Sequence, residues 1–157
     1  VTLISLETIT LSLLEKIMYT FIKMSKYDKL FIDICTKYAD MSFAQRKKVG
    51  AVIVKENTIV SDGYNGTPVG FDNNCEDPDG KTYWYVLHAE ANAITKMARS
   101  NTSCKDSTLY ITLSPCRECS KLIIQSDIKR VVYKEKYKDT SGLDFLGNFN
   151  IECIQIE

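Results

Sequence analysis

Histidine is nearly absent from this chain: its 157 residues contain one, His88. Net charge is absent as well, with 20 Lys+Arg balancing 20 Asp+Glu. That balance excludes a surface built to neutralise many phosphates, so no nucleic-acid partner is expected. Long apolar runs are missing too. In the Leu- and Ile-rich segment 1–23, Glu7, Glu15, Lys16 and Lys23 interrupt the pattern. Its longest uncharged stretch, Thr8 to Leu14, is far below the roughly 18 residues a membrane span needs. No basic segment followed by an apolar core and a small-residue cleavage pattern is present, so neither a signal peptide nor a membrane partner is expected. Internal repeats and low-complexity tracts are lacking. The six cysteines show no regular spacing apart from Cys116-x-x-Cys119, which argues against a disulfide framework and for a reducing, cytoplasmic setting.

What is present reads as one globular domain, with 45% apolar and 25% charged residues. Residues 1–23 read as an N-terminal extension of uncertain order, with Met24 as a candidate start, and 24–157 as the functional domain. Ser25 to Asp28 signals a helix start, Ser25 capping and Asp28 reaching back, followed by apolar residues at helical spacing from Leu30 to Met41. Val49 to Val54 and Thr58 to Ser61 read as a hairpin around Lys55-Glu56-Asn57. Gly63, Gly66, Pro68, Gly70 and Gly80 mark a long loop to about Val86. A helix from His88 to about Arg99 follows, then a strand from Ser107 to Leu113. Ser114 is expected to cap the next helix, with Pro115 at its first position. Val131 to Tyr133, a helix near 143–148 and a strand from Ile151 to Ile156 complete the order. A hairpin followed by alternating strands and helices implies an α/β fold with a mixed sheet.

Two segments carry chemistry: His88-Ala89-Glu90 and Pro115-Cys116-Arg117-Glu118-Cys119. One imidazole and two thiolates match the three protein ligands of a catalytic zinc, which keeps a fourth position open. Cys116 and Cys119, three residues apart, share one side of a helix start, where N–H groups and the helix dipole favour thiolate. Glu90 lies two residues from His88, placed to exchange protons with water at the metal without ligating it. A structural zinc site would want a fourth Cys or His and no such glutamate.

His-x-Glu followed by Pro-Cys-x-x-Cys is the signature of zinc nucleobase deaminases. With Val49 to Val54, Gly63-Tyr64-Asn65-Gly66-Thr67-Pro68, His88 to Ile94, Leu113 to Cys119 and Ile128 to Tyr133, the chain resembles the deoxycytidylate (dCMP) deaminase family, in particular phage and bacterial members. The resemblance covers about 130 residues from Tyr27 onward. It implies a cytidine deaminase-like three-layer α/β/α sandwich with a five-stranded mixed sheet. It also implies hydrolysis of dCMP to dUMP and ammonia, supplying dUMP for thymidylate synthesis. Glu90 would be catalytic, with His88, Cys116 and Cys119 holding one Zn2+. For the substrate it points to Asn65 on the nucleoside, Tyr137 stacking on the base, Ala89 at the pyrimidine edge and Val49 in the pocket wall. The basic triplet Arg46-Lys47-Lys48 offers phosphate contacts, with Arg46 and Lys48 the chosen residues. Gly63, Tyr64, Asn65 and Gly66 resemble the family's allosteric motif, implying activation by dCTP and inhibition by dTTP, with Mg2+ among the candidate cofactors. A homohexamer is implied. A second zinc is not expected, because the only histidine is already committed; Cys75 with Cys35 or Cys104 are the remaining donors.

Three readings compete. The metal motif also fits a tRNA adenosine deaminase or a single-strand cytosine deaminase, although their polyanionic substrates favour a basic surface. A non-catalytic zinc-binding protein of the same fold would have no use for Glu90.

Overall fold

The computed structural model describes residues 25–156; segment 1–23 and Met24 lie outside the described residues. The elements run α1 (Asp28–Asp40), β1 (Gly50–Lys55), β2 (Thr58–Tyr64), α2 (Ala89–Met97), β3 (Thr108–Leu113), α3 (Arg117–Gln125), β4 (Arg130–Glu135), α4 (Ser141–Gly147) and β5 (Glu152–Gln155). This is the order expected from the sequence. The five strands form one sheet in the order β2-β1-β3-β4-β5. β1 pairs antiparallel with β2 and β3, whereas β3, β4 and β5 are parallel.

Local chemistry accounts for the hairpin. Glu56 and Asn57 both have positive φ (50° and 58°), the type I′ geometry that suits a two-residue hairpin loop. A register shift between Ile53 and Val54 leaves Val60 as an extra residue on β2, a β-bulge.

β1 is central and buried on both faces, which is why it reads as an unbroken apolar run. Val52 and Val54 pack with Tyr110 and Val132 against Phe31, Ile32 and Cys35 of α1. Ala51 and Ile53 turn the other way, joining Ala89 and Ala93 of α2, Ile123 of α3 and Leu146 of α4. The result is the expected three-layer sandwich.

A buried polar network ties α1 to the sheet. Asp28 is fully buried, and its carboxylate receives two parallel hydrogen bonds from the Arg130 guanidinium, at 2.8 and 2.7 Å. The Tyr110 hydroxyl donates to Asp28 at 2.6 Å, and the Ser25 N–H does so at 2.8 Å. The last of these is the reach-back expected from the sequence, although Tyr27 and not Ser25 is the N-cap residue of α1. Arg130 also donates to Glu152 at 3.0 Å, so the network joins α1 to β3, β4 and β5. Burial alone would raise the Asp28 pKa. The hydrogen bonds from Arg130, Tyr110 and Ser25, together with the Arg130 charge, outweigh it and leave the group below its ordinary value.

Removing one partner of a buried ion pair strands the other. Asp28→Ala is therefore expected to cost about 3 kcal/mol, the low end of the usual range because Glu152 still faces Arg130. Urea denaturation at neutral pH checks this. Because the folded pKa is depressed, the stabilisation is present above about pH 3.9 and is lost as pH falls through the folded value. The same titration of Asp28→Asn should show a shallower loss of stability below pH 4.

Candidate active site

Both chemical segments lie at helix starts, and the fold sets those starts side by side. His88 is the N-cap residue of α2, with extended backbone (φ −73°, ψ 156°). Cys116 occupies the same position on α3 (φ −77°, ψ 171°), and Cys119 is three residues further on. This differs from the expected start at Ser114 and Pro115. Ser114 instead prolongs the β3–β4 ladder, its N–H donating to the Glu135 carbonyl at 2.8 Å. Its hydroxyl is taken by the Tyr137 N–H at 2.8 Å. With Ser114 so engaged, Cys116 takes the N-cap position.

Close backbone approach brings the helices in. A Cβ on Gly63 would lie 2.3 Å from the Ala89 carbonyl oxygen and 2.7 Å from the Ala93 nitrogen, so only glycine lets α2 settle on β2 there. Gly142 has the same role beneath α3, where a Cβ would be 2.3 Å from the Pro115 carbonyl oxygen. Ser120 fastens this contact, donating to the Cys116 carbonyl at 2.9 Å or the Gly142 carbonyl at 3.0 Å.

The His88 Nδ1 stands 3.5 Å from the Cys116 sulfur and 3.4 Å from the Cys119 sulfur. Tetrahedral zinc with ordinary Zn–N and Zn–S bonds separates such atoms by about 3.6 Å, so the donors fit the metal. One ligand atom from each of His88, Glu90, Cys116 and Cys119 lies within 4.8 Å of all the others. Cys116 is pushed down to about 3, first by the hydrogen bond from the Cys119 thiol and then by His88. Cys119 is raised by that same hydrogen bond and by burial. Glu90 is 4% exposed, and burial raises its carboxyl above the usual range.

The other four cysteines are free thiols. Burial raises Cys35 to about 12 and Cys153 to about 11, and it raises Cys75 and Cys104 as well, so none presents a ready thiolate.

A cavity of about 260 Å³ opens over these donors. Val49, Asn65, Ala89 and Tyr137 line it, as the sequence led one to expect, and so does Arg46. Of the expected phosphate pair, Arg46 alone is in its lining; Lys47 is there in place of Lys48, joined to Glu135 by an ion pair. The segment before β1 is irregular, so strand-like alternation does not govern which of these side chains face inward. Asn65 is engaged in the wall itself. Its side-chain oxygen accepts from the Val49 N–H, and its side-chain nitrogen donates to the Lys47 carbonyl, each at 2.8 Å. The Ser42 hydroxyl donates to the Asn65 carbonyl at 2.6 Å.

Of the proposed regulatory motif, Gly63 is closed off against α2. Gly66 forms a two-way backbone bridge with Leu87, at 3.1 and 2.8 Å. Tyr64 is half-buried, and its carbonyl accepts from the Asn92 side chain at 3.1 Å. Sequence reasoning missed Ser42, Glu76, Thr82 and Ser114, polar residues that shape the cavity from loops; Ser114 was read as a cap, and the others carried no motif.

Three metal ligands with a carboxylate beside the open position define a zinc-dependent hydrolytic enzyme rather than a structural zinc clip. Comparison with known proteins agrees. The model for the cytidine and deoxycytidylate deaminase zinc-binding region matches residues 25–135, and the chain belongs to that family. It is 37% identical over 152 residues to the deoxycytidylate deaminase of Enterobacteria phage T4, covering 69% of this chain and 79% of the relative. It is 46% identical over 94 residues to a probable deoxycytidylate deaminase of Caenorhabditis elegans, covering 56% of this chain and 47% of that protein. The chain thus spans about half the length of that relative. A solved structure of a cyanophage S-TIM5 dCMP deaminase, in complex with dCMP and dUMP, is similar at a TM-score of 0.82 and 41% identity. That match covers 85% of this chain and 99% of the other.

One zinc per chain is expected by elemental mass spectrometry of the purified protein. Glu90→Gln should retain it, whereas Cys119→Ser should lower zinc affinity sharply in a chelator competition.

Proposed function

We propose that this protein hydrolyses dCMP to dUMP and ammonia, with residues 24–157 as the catalytic unit. The observation that carries the reading is the buried Glu90 beside the His88, Cys116 and Cys119 donors, at the floor of a cavity of mononucleotide size. When bound, zinc supplies Lewis acidity that makes water a nucleophile near neutral pH.

Glu90 manages the protons. Its carboxylate oxygen takes one from the attacking water and delivers it to N3 of the ring. It then takes the remaining proton from the oxygen added at C4 and passes it to the 4-amino group, which leaves as ammonia as the C4–N bond breaks and the C4 carbonyl forms. Burial suits Glu90 to both directions of transfer, since its raised pKa lies closer to neutral than that of an ordinary carboxylate. Tyr137 offers its ring for stacking on the base, and Ala89, at the first position of α2, offers an unpaired N–H to the pyrimidine edge. Asn65 holds the 47–49 wall and has a remaining lone pair and N–H for the sugar. Arg46, with Lys47 beside it, presents cationic groups to the 5′-phosphate at the cavity mouth. Removal of a general acid/base typically costs about 10²–10⁴ in rate. Glu90→Gln should lose at least about a hundredfold in kcat on dCMP. Assays of the unaltered chain on dCMP, deoxycytidine, dCTP, a tRNA anticodon stem-loop and a single-stranded oligonucleotide should show dCMP preferred.

Assembly as a homohexamer and regulation by dCTP and dTTP, with Mg2+ accompanying them, belong to the same proposal. Val69 is 95% and Trp84 92% exposed on the loop between β2 and α2, with Phe71 also outward, apolar surface of the kind that subunit contacts cover. Tyr64 and Gly66 sit beside Asn65 at the end of β2, so an effector held there would act directly on the cavity wall. A cytoplasmic setting belongs to the same proposal; no helix among the described residues is long and apolar enough to cross a membrane. Light scattering should give the mass of six chains, and dCTP and dTTP should shift the dCMP saturation curve in opposite directions.

A further inference from the structure

The loop between β2 and α2 is not slack where it passes the cavity. Glu76 and Thr82 face each other across an antiparallel bridge, and the Tyr83 N–H donates to the Cys75 carbonyl at 3.0 Å. The Asp77 N–H donates to the Lys81 carbonyl at 2.9 Å, and the Asp77 side chain accepts from the N–H groups of Asp79 and Lys81. Residues 75–83 are thus a small hairpin with its own tip. The Glu76 side chain leaves this hairpin and enters the wall of the cavity, where the residue is only 6% exposed.

Its carboxylate meets the segment that precedes β1. The Gln45 N–H points at both oxygens, at 3.1 and 3.2 Å, and the Arg46 N–H donates at 3.3 Å. On the next strand of the hairpin, the Thr82 hydroxyl accepts from the Arg46 guanidinium at 3.5 Å. The hairpin therefore grips Arg46 twice, by its main chain through Glu76 and by its side chain through Thr82. Adjacent N–H donors converge on this buried group, and a carboxylate meets them with two charged acceptor oxygens where an amide offers one neutral oxygen and turns an NH2 toward the Gln45 N–H. A carboxylate in a cavity that takes an anion is unfavourable in itself. Its presence is accounted for when its charge is spent on main-chain N–H groups and it holds a cation in place.

We infer that Glu76 is a positioning residue: it fixes the Gln45–Arg46 main chain so that the Arg46 guanidinium stands at the cavity mouth, and thereby sets affinity for the substrate's 5′-phosphate. This rests on the dCMP reading above. The Glu76 carboxylate bonds the Gln45 and Arg46 main chain and not His88, Glu90, Cys116 or Cys119, so its effect falls on binding and not on the chemical step.

The test is steady-state kinetics of the zinc-loaded enzyme on dCMP for four forms: unaltered, Glu76→Gln, Arg46→Ala and the double variant. Glu76→Gln should raise KM for dCMP about tenfold, as loss of a charge-assisted hydrogen bond would, with kcat within about twofold. The double variant should be no worse than Arg46→Ala alone, because both changes remove the same contact. Product binding by calorimetry should follow, weaker for dUMP and unchanged for deoxyuridine. Glu76→Asp, which keeps the charge and shortens the reach, should give a smaller rise in KM, and it carries the test if Glu76→Gln does not fold. A fall in kcat at constant KM, effects that multiply in the double variant, or equal weakening of dUMP and deoxyuridine would overturn the assignment. Absence of dCMP turnover by the unaltered chain would instead count against the dCMP reading, and the Glu76 inference would fall with it.

Discussion

A nitrogen on one helix start held about 3.5 Å from two sulfurs on another is the constraint on which the rest of the structure depends. Two helices can begin that close together only if little bulk separates them. Gly63 removes the side chain that would hold α2 away from β2, and Gly142 does the same for α4 under the Pro115–Cys116 turn. Parallel pairing of β3 with β4 and the Ser114–Glu135 bond then set where the chain leaves the sheet to enter α3. The metal site is thus a product of backbone packing, with the ligands carried on its closest contacts.

Electrostatics is arranged around the same point. Helix starts present N–H groups and positive dipole ends, which favour thiolate over thiol. The carboxylate nearest to them is buried, and its pKa rises, so the site joins a readily ionised Cys116 sulfur to a glutamate able to carry a proton. On the opposite face of the sheet a different buried charge, Asp28, is driven downward by Arg130 and Tyr110. The contrast is one of partners: Asp28 has a bidentate cation that lowers its pKa, whereas Glu90 is left to the effect of desolvation. The first arrangement serves the fold, and the second serves proton transfer.

The cavity wall shows how polar side chains can shape a pocket without regular secondary structure. The segment before β1 belongs to no strand, yet Ser42, Asn65 and Glu76 each hydrogen-bond it or its neighbours. Asn65 comes from the start and Glu76 from the middle of the loop that links β2 to α2. That loop is held in turn by the Gly66–Leu87 bridge and the 75–83 hairpin. Residues far apart in the chain thus converge on the few that face the substrate.

The element order, the hairpin turn and the ligand set were all legible in the sequence. Each rests on short-range patterns: apolar periodicity, a polar break between two apolar runs, and donor types at fixed spacing. The reach-back of Asp28 to Ser25 was legible for the same reason, but its pairing with Arg130, 102 residues away, was not. The start of α3 was misplaced by two residues, because Ser114 is an excellent cap by local preference and only the neighbouring β4 claims its hydrogen bonds. Lys48 was expected at the pocket and Lys47 was found there, since no periodicity governs an irregular segment. The sequence by itself determined the chemistry of the site, because a metal selects ligand types. Tertiary structure alone decided which loop groups surround the ligands, because those contacts join residues whose separation along the chain carries no pattern.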